Sequence, residues 1–327
     1  LIEYTGSDKF SAVLQVGTSS QDYQWEGFYT AAPDTKSRVV TVNGGYIKGG
    51  ANFRANDNSN FFFNVGQIMR PPSFDGVFPN ADYDFEEADE ILNESFTSFE
   101  LGYGFRSSNF KGTINAYHTV WGDRTLRRST SIDDQGVRII YSGVEQTHQG
   151  VEAEMTWYPS SRLRVKGMAS LGDWKYTKNF QGDAYFIDNN QPAGTTGTLY
   201  LDGVKIGDAA QTVLYLGLDY KLSSKLSVDV DMMSFDNLHG RFGPLDSEFN
   251  SDNNRGSIKL PSWGTTDLGA TYRFTLLGYE SRARLNINNL FDKEYLSQSQ
   301  TNFHNDGGRT WNGVNVENNV YFGKGTT

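Results

Sequence analysis

Alternation of apolar and polar side chains with a period of two, held over eight or nine residues at a time, constrains this chain more than any other feature. Ile47, Gly49, Ala51, Phe53 and Ala55 alternate with Lys48, Gly50, Asn52 and Arg54. Leu163, Val165, Gly167, Ala169 and Leu171 alternate with Arg164, Lys166, Met168 and Ser170. Leu214, Leu216, Leu218, Tyr220 and Leu222 alternate with Tyr215, Gly217, Asp219 and Lys221. Near the C-terminus Ala283, Leu285 and Ile287 alternate with Arg282, Arg284 and Asn286. A period of two is that of a strand with one apolar and one wet face. No helical period of comparable quality occurs, so an all-β fold is predicted.

Strand length narrows the choice. The stretches 39–55, 110–125, 147–158 and 162–178 read as long continuous strands. Strands of soluble proteins average about 5–6 residues, whereas a tilted membrane strand needs about 9–11. Short polar turns separate the strands at Gly6-Ser7-Asp8, Asn56 to Asn60, Ser107-Ser108-Asn109, Pro159-Ser160-Ser161, Ser223-Ser224 and Leu277-Gly278-Tyr279. Between these lie long polar segments at 73–95, 125–136, 179–206, 240–259 and 298–312. Tight turns on one side and long loops on the other are the asymmetry of a transmembrane antiparallel up-and-down β-barrel. Parity then puts 73–95, 179–206, 240–259 and 298–312 at the same, extracellular end.

Composition agrees where it bears on the question. Mean hydropathy is -0.55, and no apolar run approaches the ~18 residues of a membrane helix, but alternating strands never score as hydrophobic. A net charge of -10 disfavours nucleic acid as a partner. Without cysteine there are no disulfides or thiolate metal sites.

The wet face carries Glu152, Glu154, Arg164, Lys166, Asp219, Asp229, Asp231, Asp267, Arg273, Arg282 and Arg284. A solvated sheet face and a water-filled lumen both accommodate these charges. Pairing Trp157 with Leu163 across their turn sets Glu154 opposite Lys166. Aromatics gather near strand ends: Tyr23, Trp25, Phe28, Tyr29, Tyr117, Trp121, Trp157, Tyr158, Trp174 and Tyr176. They suit interfacial girdles, while Trp25 or Trp174 would equally suit an outer substrate vestibule.

Four stretches, in order, resemble the TonB-dependent outer-membrane receptors. Ile47 to Phe74 is similar to a hairpin ending in an Arg-x-Pro rim motif, here Arg70-Pro71-Pro72. Asn93 to Gly104 (NESFTSFELGYG) and Gly150 to Trp157 (GVEAEMTW) resemble the strands that follow. Asn288 to Tyr295 (NNLFDKEY) resembles the N-L-F-D-K-x-Y signature. The resemblance covers essentially the whole chain and is to the Bacteroidetes-type receptors, whose SusC-like branch has similar C-terminal strands. It implies that residues 1–327 are the C-terminal portion of a 22-stranded barrel, with the plug domain and last strand outside this chain. It also implies an outer-membrane importer of a scarce nutrient such as an iron–siderophore or haem complex, energised through TonB. The alternatives are a SusC-like glycan or peptide importer working with a surface lipoprotein, or a passive porin or structural barrel. Implied partners are TonB, outer-membrane lipid and lipopolysaccharide, and a small-molecule or oligomeric nutrient.

No catalytic constellation is visible. His118, His148, His239 and His304 are isolated, and there is no H-E-x-x-H, G-x-S-x-G or P-loop. No resident cofactor or metal is expected. Candidate substrate-binding residues are Asp82, Asp84 and Glu86 in an acidic loop, Trp174 at a strand end, and Asp246 and Glu248 in the Asn/Asp-rich run 246–254. Loops on a rigid scaffold carry binding, which favours these positions. The 246–254 run has alternating oxygen donors, but Gly256 falls one place late for a calcium loop.

Overall fold

A computed structural model describes residues 1–27, 35–79, 87–88, 90–132, 134–188, 191–243 and 246–327. Its first half comprises β1 (Ile2–Ser7), β2 (Phe10–Tyr23), the two-residue β3 (Glu26–Gly27) and β4 (Thr35–Lys36), β5 (Val40–Asn56) and β6 (Ser59–Arg70). One turn of helix, α1 (Phe74–Val77), precedes β7 (Glu94–Arg106), β8 (Phe110–Ile132) and β9 (Gln135–Trp157). Then come β10 (Leu163–Tyr176), β11 (Phe180–Phe186), β12 (Pro192–Leu199), β13 (Thr212–Lys221) and β14 (Leu226–Asp236). A 3-10 turn (Ser247–Asn250) leads to β15 (Trp263–Leu276) and β16 (Tyr279–Ile287). Four short strands finish the chain: β17 (Leu296–Ser299), β18 (Thr310–Trp311), β19 (Val314–Asn315) and β20 (Val320–Phe322).

Twelve strands form one antiparallel meander in the order β1-β2-β5-β6-β7-β8-β9-β10-β13-β14-β15-β16. The register makes each face continuous. On one face Phe53, Phe61, Phe105, Ile114, Val151, Met155, Leu171, Leu214, Leu216 and Leu285 are all exposed. The other face carries the charges named above. Leu216 is 38% exposed and sits between Gly167 and Met232 of its neighbours. It lies in a single sheet rather than between two stacked ones, as a barrel wall requires.

The turn between β9 and β10 departs from expectation. Trp157 pairs with Val165, so Glu154 faces Met168 and Lys166 faces Thr156. The turn is two residues wider than assumed. The hydroxyl of Ser160 accepts the N–H groups of Arg162 and Leu163, at 3.3 and 3.2 Å, and the N–H of Tyr158 donates to Asn109 O at 2.7 Å. A two-residue slip preserves parity. Glu154 and Lys166 therefore share the polar face on adjacent strands, but they are not cross-strand partners. Lys166 instead reaches Asp219 at 3.4 Å and Asp231 at 3.7 Å.

The long-connection end also differs. The segment 125–136 is the tip of a hairpin, since β8 and β9 run on together for 23 residues each. The segment 179–206 contains β11 and β12, and β11 pairs with the β9 extension from Gly182–Tyr141 to Phe186–Val137. Buried apolar side chains collect in three clusters at this end. One joins Val137, Ile139, Tyr141, Phe180, Leu199, Leu201 and Phe249. A second joins Tyr23, Trp25, Val40, Val77 and Phe78. The third joins Leu238, Ile258, Leu260, Leu296 and Val314. A one-sheet wall has no interior of its own, so what packing there is sits in the connections.

Candidate functional site

The polar face becomes aromatic where it approaches these connections. Cross-strand register sets Phe96 of β7 beside Trp121 of β8, and Trp121 beside Gln146 of β9, which faces Tyr176 of β10. One residue pair lower, Thr119, His148 and Trp174 align in the same way. Phe96 and Trp121 stack at 4.9 Å between ring centres. The Arg124 guanidinium lies 4.0 Å from the Trp121 ring centre, and Arg70 lies 5.5 and 5.8 Å from the Phe96 and Trp121 rings. Such contacts are worth about 0.5–2 kcal/mol each, more as water is excluded.

The two arginines differ in their partners. Arg70 is ion-paired with Glu94, whose Oε2 also accepts the Trp121 indole N–H at 3.1 Å. This Arg70 belongs to the Arg-Pro-Pro motif, and its pairing locks the rim of β6 to β7. Arg124 donates to Gln146 Oε1 at 3.2 Å and has no carboxylate within ion-pair distance among the described residues. It is a cation left available on an aromatic platform.

Trp174 belongs to the same site. Its indole N–H donates to Tyr117 Oη at 2.9 Å, and its ring lies 5.4 Å from that of His148. Gln211, 2% exposed, clamps its backbone: Oε1 accepts the Trp174 N–H at 2.9 Å, and Nε2 donates to Trp174 O at 3.0 Å. Further round the sheet Trp263 stacks between Phe235 at 4.1 Å and Tyr295 at 3.8 Å. Tyr295 closes the N-L-F-D-K-x-Y stretch. Asn289 of that stretch, at φ +48, donates to Lys293 O and Lys324 O at 3.0 Å each and accepts the Lys293 N–H at 2.9 Å. The signature thus folds a turn that carries its tyrosine onto the aromatic face.

The other candidate residues fare differently. Asp82, Asp84 and Glu86 lie outside the described residues, as do Phe28 and Tyr29. Asp246 caps the 3-10 turn, accepting the Glu248 N–H at 3.0 Å. Glu248 receives Arg255 Nε at 3.1 Å and Nη2 at 2.9 Å, and Arg255 also reaches Asp306 at 2.6 Å. Those hydrogen bonds lower the Glu248 pKa to about 2, and the same carboxylates raise the Arg255 guanidinium. The oxygens of Glu248 are thus committed to a guanidinium of the same connection, 237–262, and that guanidinium ties the connection to the C-terminal segment through Asp306.

The expected girdle needs correcting. Tyr23 and Trp25 are 4% and 3% exposed inside a packed cluster, and the Tyr23 hydroxyl donates to Pro72 O. Tyr117, Trp121, Trp174 and Tyr176 are on the polar face. Parity was the available signal: Tyr117 and Trp121 share it with Lys111 and Asn115, and Trp174 shares it with Lys166 and Ser170. Of that group Trp157 is exposed on the apolar face, at the short-turn end. It joins a band there of Tyr4, Phe10, Phe53, Phe61, Tyr103, Phe105 and Phe110, with rings 5.1–6.4 Å apart in pairs. This is where a membrane interface expects aromatics.

The profile of the family described as TonB dependent receptor-like, beta-barrel, matches residues 4–290. Solved structures with a similar fold include the siderophore receptor PiuA of Acinetobacter baumannii, with 15% identity and a TM-score of 0.65 over 98% of this chain and 40% of that one. The copper transporter OprC has 12% identity and a TM-score of 0.63 over 99% and 45%. The ferric-catecholate import receptor Fiu of E. coli K12, closed form, has 13% identity and a TM-score of 0.61 over 98% and 41%. The chain therefore spans less than half the length of each. No curated protein sequence matches it significantly.

Proposed function

Since the chain belongs to the TonB-dependent receptor-like β-barrel family and so to the outer membrane of Gram-negative bacteria, we propose that the protein containing it is an active importer of a scarce nutrient, drawn through the barrel with energy from TonB. The observation that carries this reading is the aromatic, cationic patch on the polar face: Arg124 over Trp121, with Phe96, Trp174 and Tyr117 alongside. A wall that presents stacked rings and a cation without an ion-pair partner among the described residues is suited to a planar, anionic ligand such as an iron–siderophore or haem-type complex. Aromatic faces supply contact area at low entropic cost, and the guanidinium supplies charge. Two of the similar structures are a ferric-catecholate import receptor and a siderophore receptor, which weights the substrate class toward a metal chelate. Asp82, Asp84 and Glu86 remain loop candidates on the same connection as α1.

The test is uptake of radiolabelled iron, offered as chelates, by iron-starved cells carrying the full-length protein. Uptake should depend on the protein and on TonB, and Arg124→Ala should raise the half-saturating concentration roughly five- to thirtyfold, as expected for about 1–2 kcal/mol. Uptake unchanged without TonB would make the protein a passive porin. Growth on glycans or peptides that requires a surface lipoprotein would move it to the SusC-like class.

A further inference from the structure

At the short-turn end the polar face carries like charges in line. Arg273 of β15 is directly opposite Arg282 of β16. The Arg273 N–H donates to Lys225 O at 2.8 Å, so Lys225, just before β14, continues the row. Three cations thus stand on neighbouring strands, about 4.8 Å apart from one strand to the next. Lys221, the last residue of β13, flanks them. The pattern recurs across the wall, where Arg106 of β7 is opposite Lys111 of β8. Like charges directly opposite on a ladder are destabilising, yet the wall keeps two such pairs at this one end.

The neighbouring charges leave this rim basic. Glu280 is two residues from Arg282. Arg54, Arg106 and Lys111 border a hollow of about 890 Å³ that Asp57 and Glu154 also line. Glu3, Asp8, Lys9 and Arg162 complete the rim and cancel. Among the described residues, none of these cations has a carboxylate within ion-pair distance. Further in, the charges are matched. Arg164 pairs with Asp219 at 2.9 Å, Lys166 with Asp219 at 3.4 Å and Asp231 at 3.7 Å, and Arg284 with Asp229 at 2.8 Å. At that level Glu100 accepts from Asn64 and Asn115, Glu152 from Ser170, and Asp267 from the Asn289 N–H.

Placement says what the rim meets. Thirteen residues of β8 separate Arg124 from Lys111, roughly 30 Å of wall at ~3.3 Å per residue and a tilt of ~45°. Short turns of such barrels face the periplasm, so the cations line the mouth by which a solute leaves. The turn tips, Ser107-Ser108-Asn109, Pro159-Ser160-Ser161 and Ser223-Ser224, are uncharged. The charge is therefore presented to the lumen rather than to a protein docking from below.

We propose that Lys225, Arg273 and Arg282, with Arg54, Arg106 and Lys111 across the mouth, form an exit subsite for a polyanionic nutrient. A mouth lined by one sign of charge concentrates solutes of the other sign, and rings of Arg and Lys select anions. Arg124 meets the ligand at the outer end, and the rim gives it a second cationic station on the periplasmic side. The inference rests on the import reading and narrows it to a substrate with two or more oxyanion groups.

The test titrates the full-length protein in mild detergent with an anionic ferric tris-catecholate and an uncharged ferric tris-hydroxamate, read by calorimetry. The catecholate should show two binding events. Lys225→Gln with Arg273→Gln and Arg282→Gln should abolish the weaker event alone, and Arg273→Lys with Arg282→Lys should retain it. That event should lose roughly tenfold in affinity between about 0.05 and 0.5 M salt, and the hydroxamate should not show it. In cells the triple variant should lower the maximal rate of catecholate uptake roughly three- to tenfold at an unchanged half-saturating concentration. Heat-modifiable electrophoretic mobility checks folding, and Arg282→Gln alone is the milder variant where the triple one fails that check. A single event, or a second event that ignores the variants or is shared by the hydroxamate, would overturn the subsite. So would a triple variant that admits a bulky antibiotic to cells at an unchanged uptake rate, since the cations would then be ties to another part of the protein. Cells that take up no chelate would sink the import reading, whereas the second event is read on purified protein and stands or falls separately.

Discussion

Replacing Leu216 with lysine tests the assignment of faces. Leu216 is the fifth of the ten residues of β13, so it is as far from either end of its strand as a residue can be. It is exposed on the belt that the structure turns toward lipid. A lysine at the bilayer midplane costs about 2–4 kcal/mol, falling to about 0–1 near the interfaces. The mid-strand position calls for the upper range, a roughly thirty- to sevenhundredfold loss in the folding equilibrium constant. Ser170→Lys is the matched control. Ser170 is in β10 on the polar face, opposite Glu152 and hydrogen-bonded to its carboxylate at 3.3 Å. A lysine there meets an opposite charge in water and should shift stability by less than about 1 kcal/mol. The assay is urea-dependent folding of the full-length protein into lipid vesicles, followed by heat-modifiable mobility. Equal costs at the two positions, or a larger one at Ser170, would refute the assignment of faces.

Three further outcomes are expected. The Glu248 carboxylate has a folded pKa of about 2 against an ordinary value of 4.5. Its contribution is therefore present above pH 4.5 and is lost as the pH falls toward 2. Amides of the connection 237–262 should lose hydrogen-exchange protection in that window, and Glu248→Gln should show the looser state at neutral pH. Asn289→Ala removes three hydrogen bonds from a residue that is 4% exposed. It should destabilise the C-terminal segment by about 1–3 kcal/mol, seen as faster proteolysis after residue 289, and unchanged cleavage would count against the role given to that turn. On intact cells, epitope tags in 179–206 and 240–259 should be reached by antibody and a tag at Ser223-Ser224 should not; the opposite pattern would invert the orientation.

Much of the wall was legible in the sequence because a strand's two faces are set by local geometry alone. The alternation around Leu214 to Leu222 needs no partner to say that Leu216 and Asp219 point opposite ways. The short turns were legible for the same reason: Ser, Asn, Gly and Pro act on their immediate neighbours. Register was not, since it depends on how wide a turn opens. The slip that separates Glu154 from Lys166 arises from Ser160 and Asn109, the latter on another hairpin.

The sequence by itself determined the strands, their alternating faces and which ends carry short turns, because each follows from a period of two and local turn chemistry. Only the tertiary structure decided where the functional groups meet. Arg124 reaches Trp121 of its own strand where the register with β9 shifts, Phe96 stacks on that ring from the neighbouring strand, and Gln211 holds Trp174 from 37 residues further along the chain. Likewise 179–206 reads as polar loop because its few apolar residues show no period, yet Phe180 and Leu199 are buried against Val137 and Ile139. Burial there depends on what β9 brings across from the neighbouring hairpin, and no periodicity within the segment encodes that.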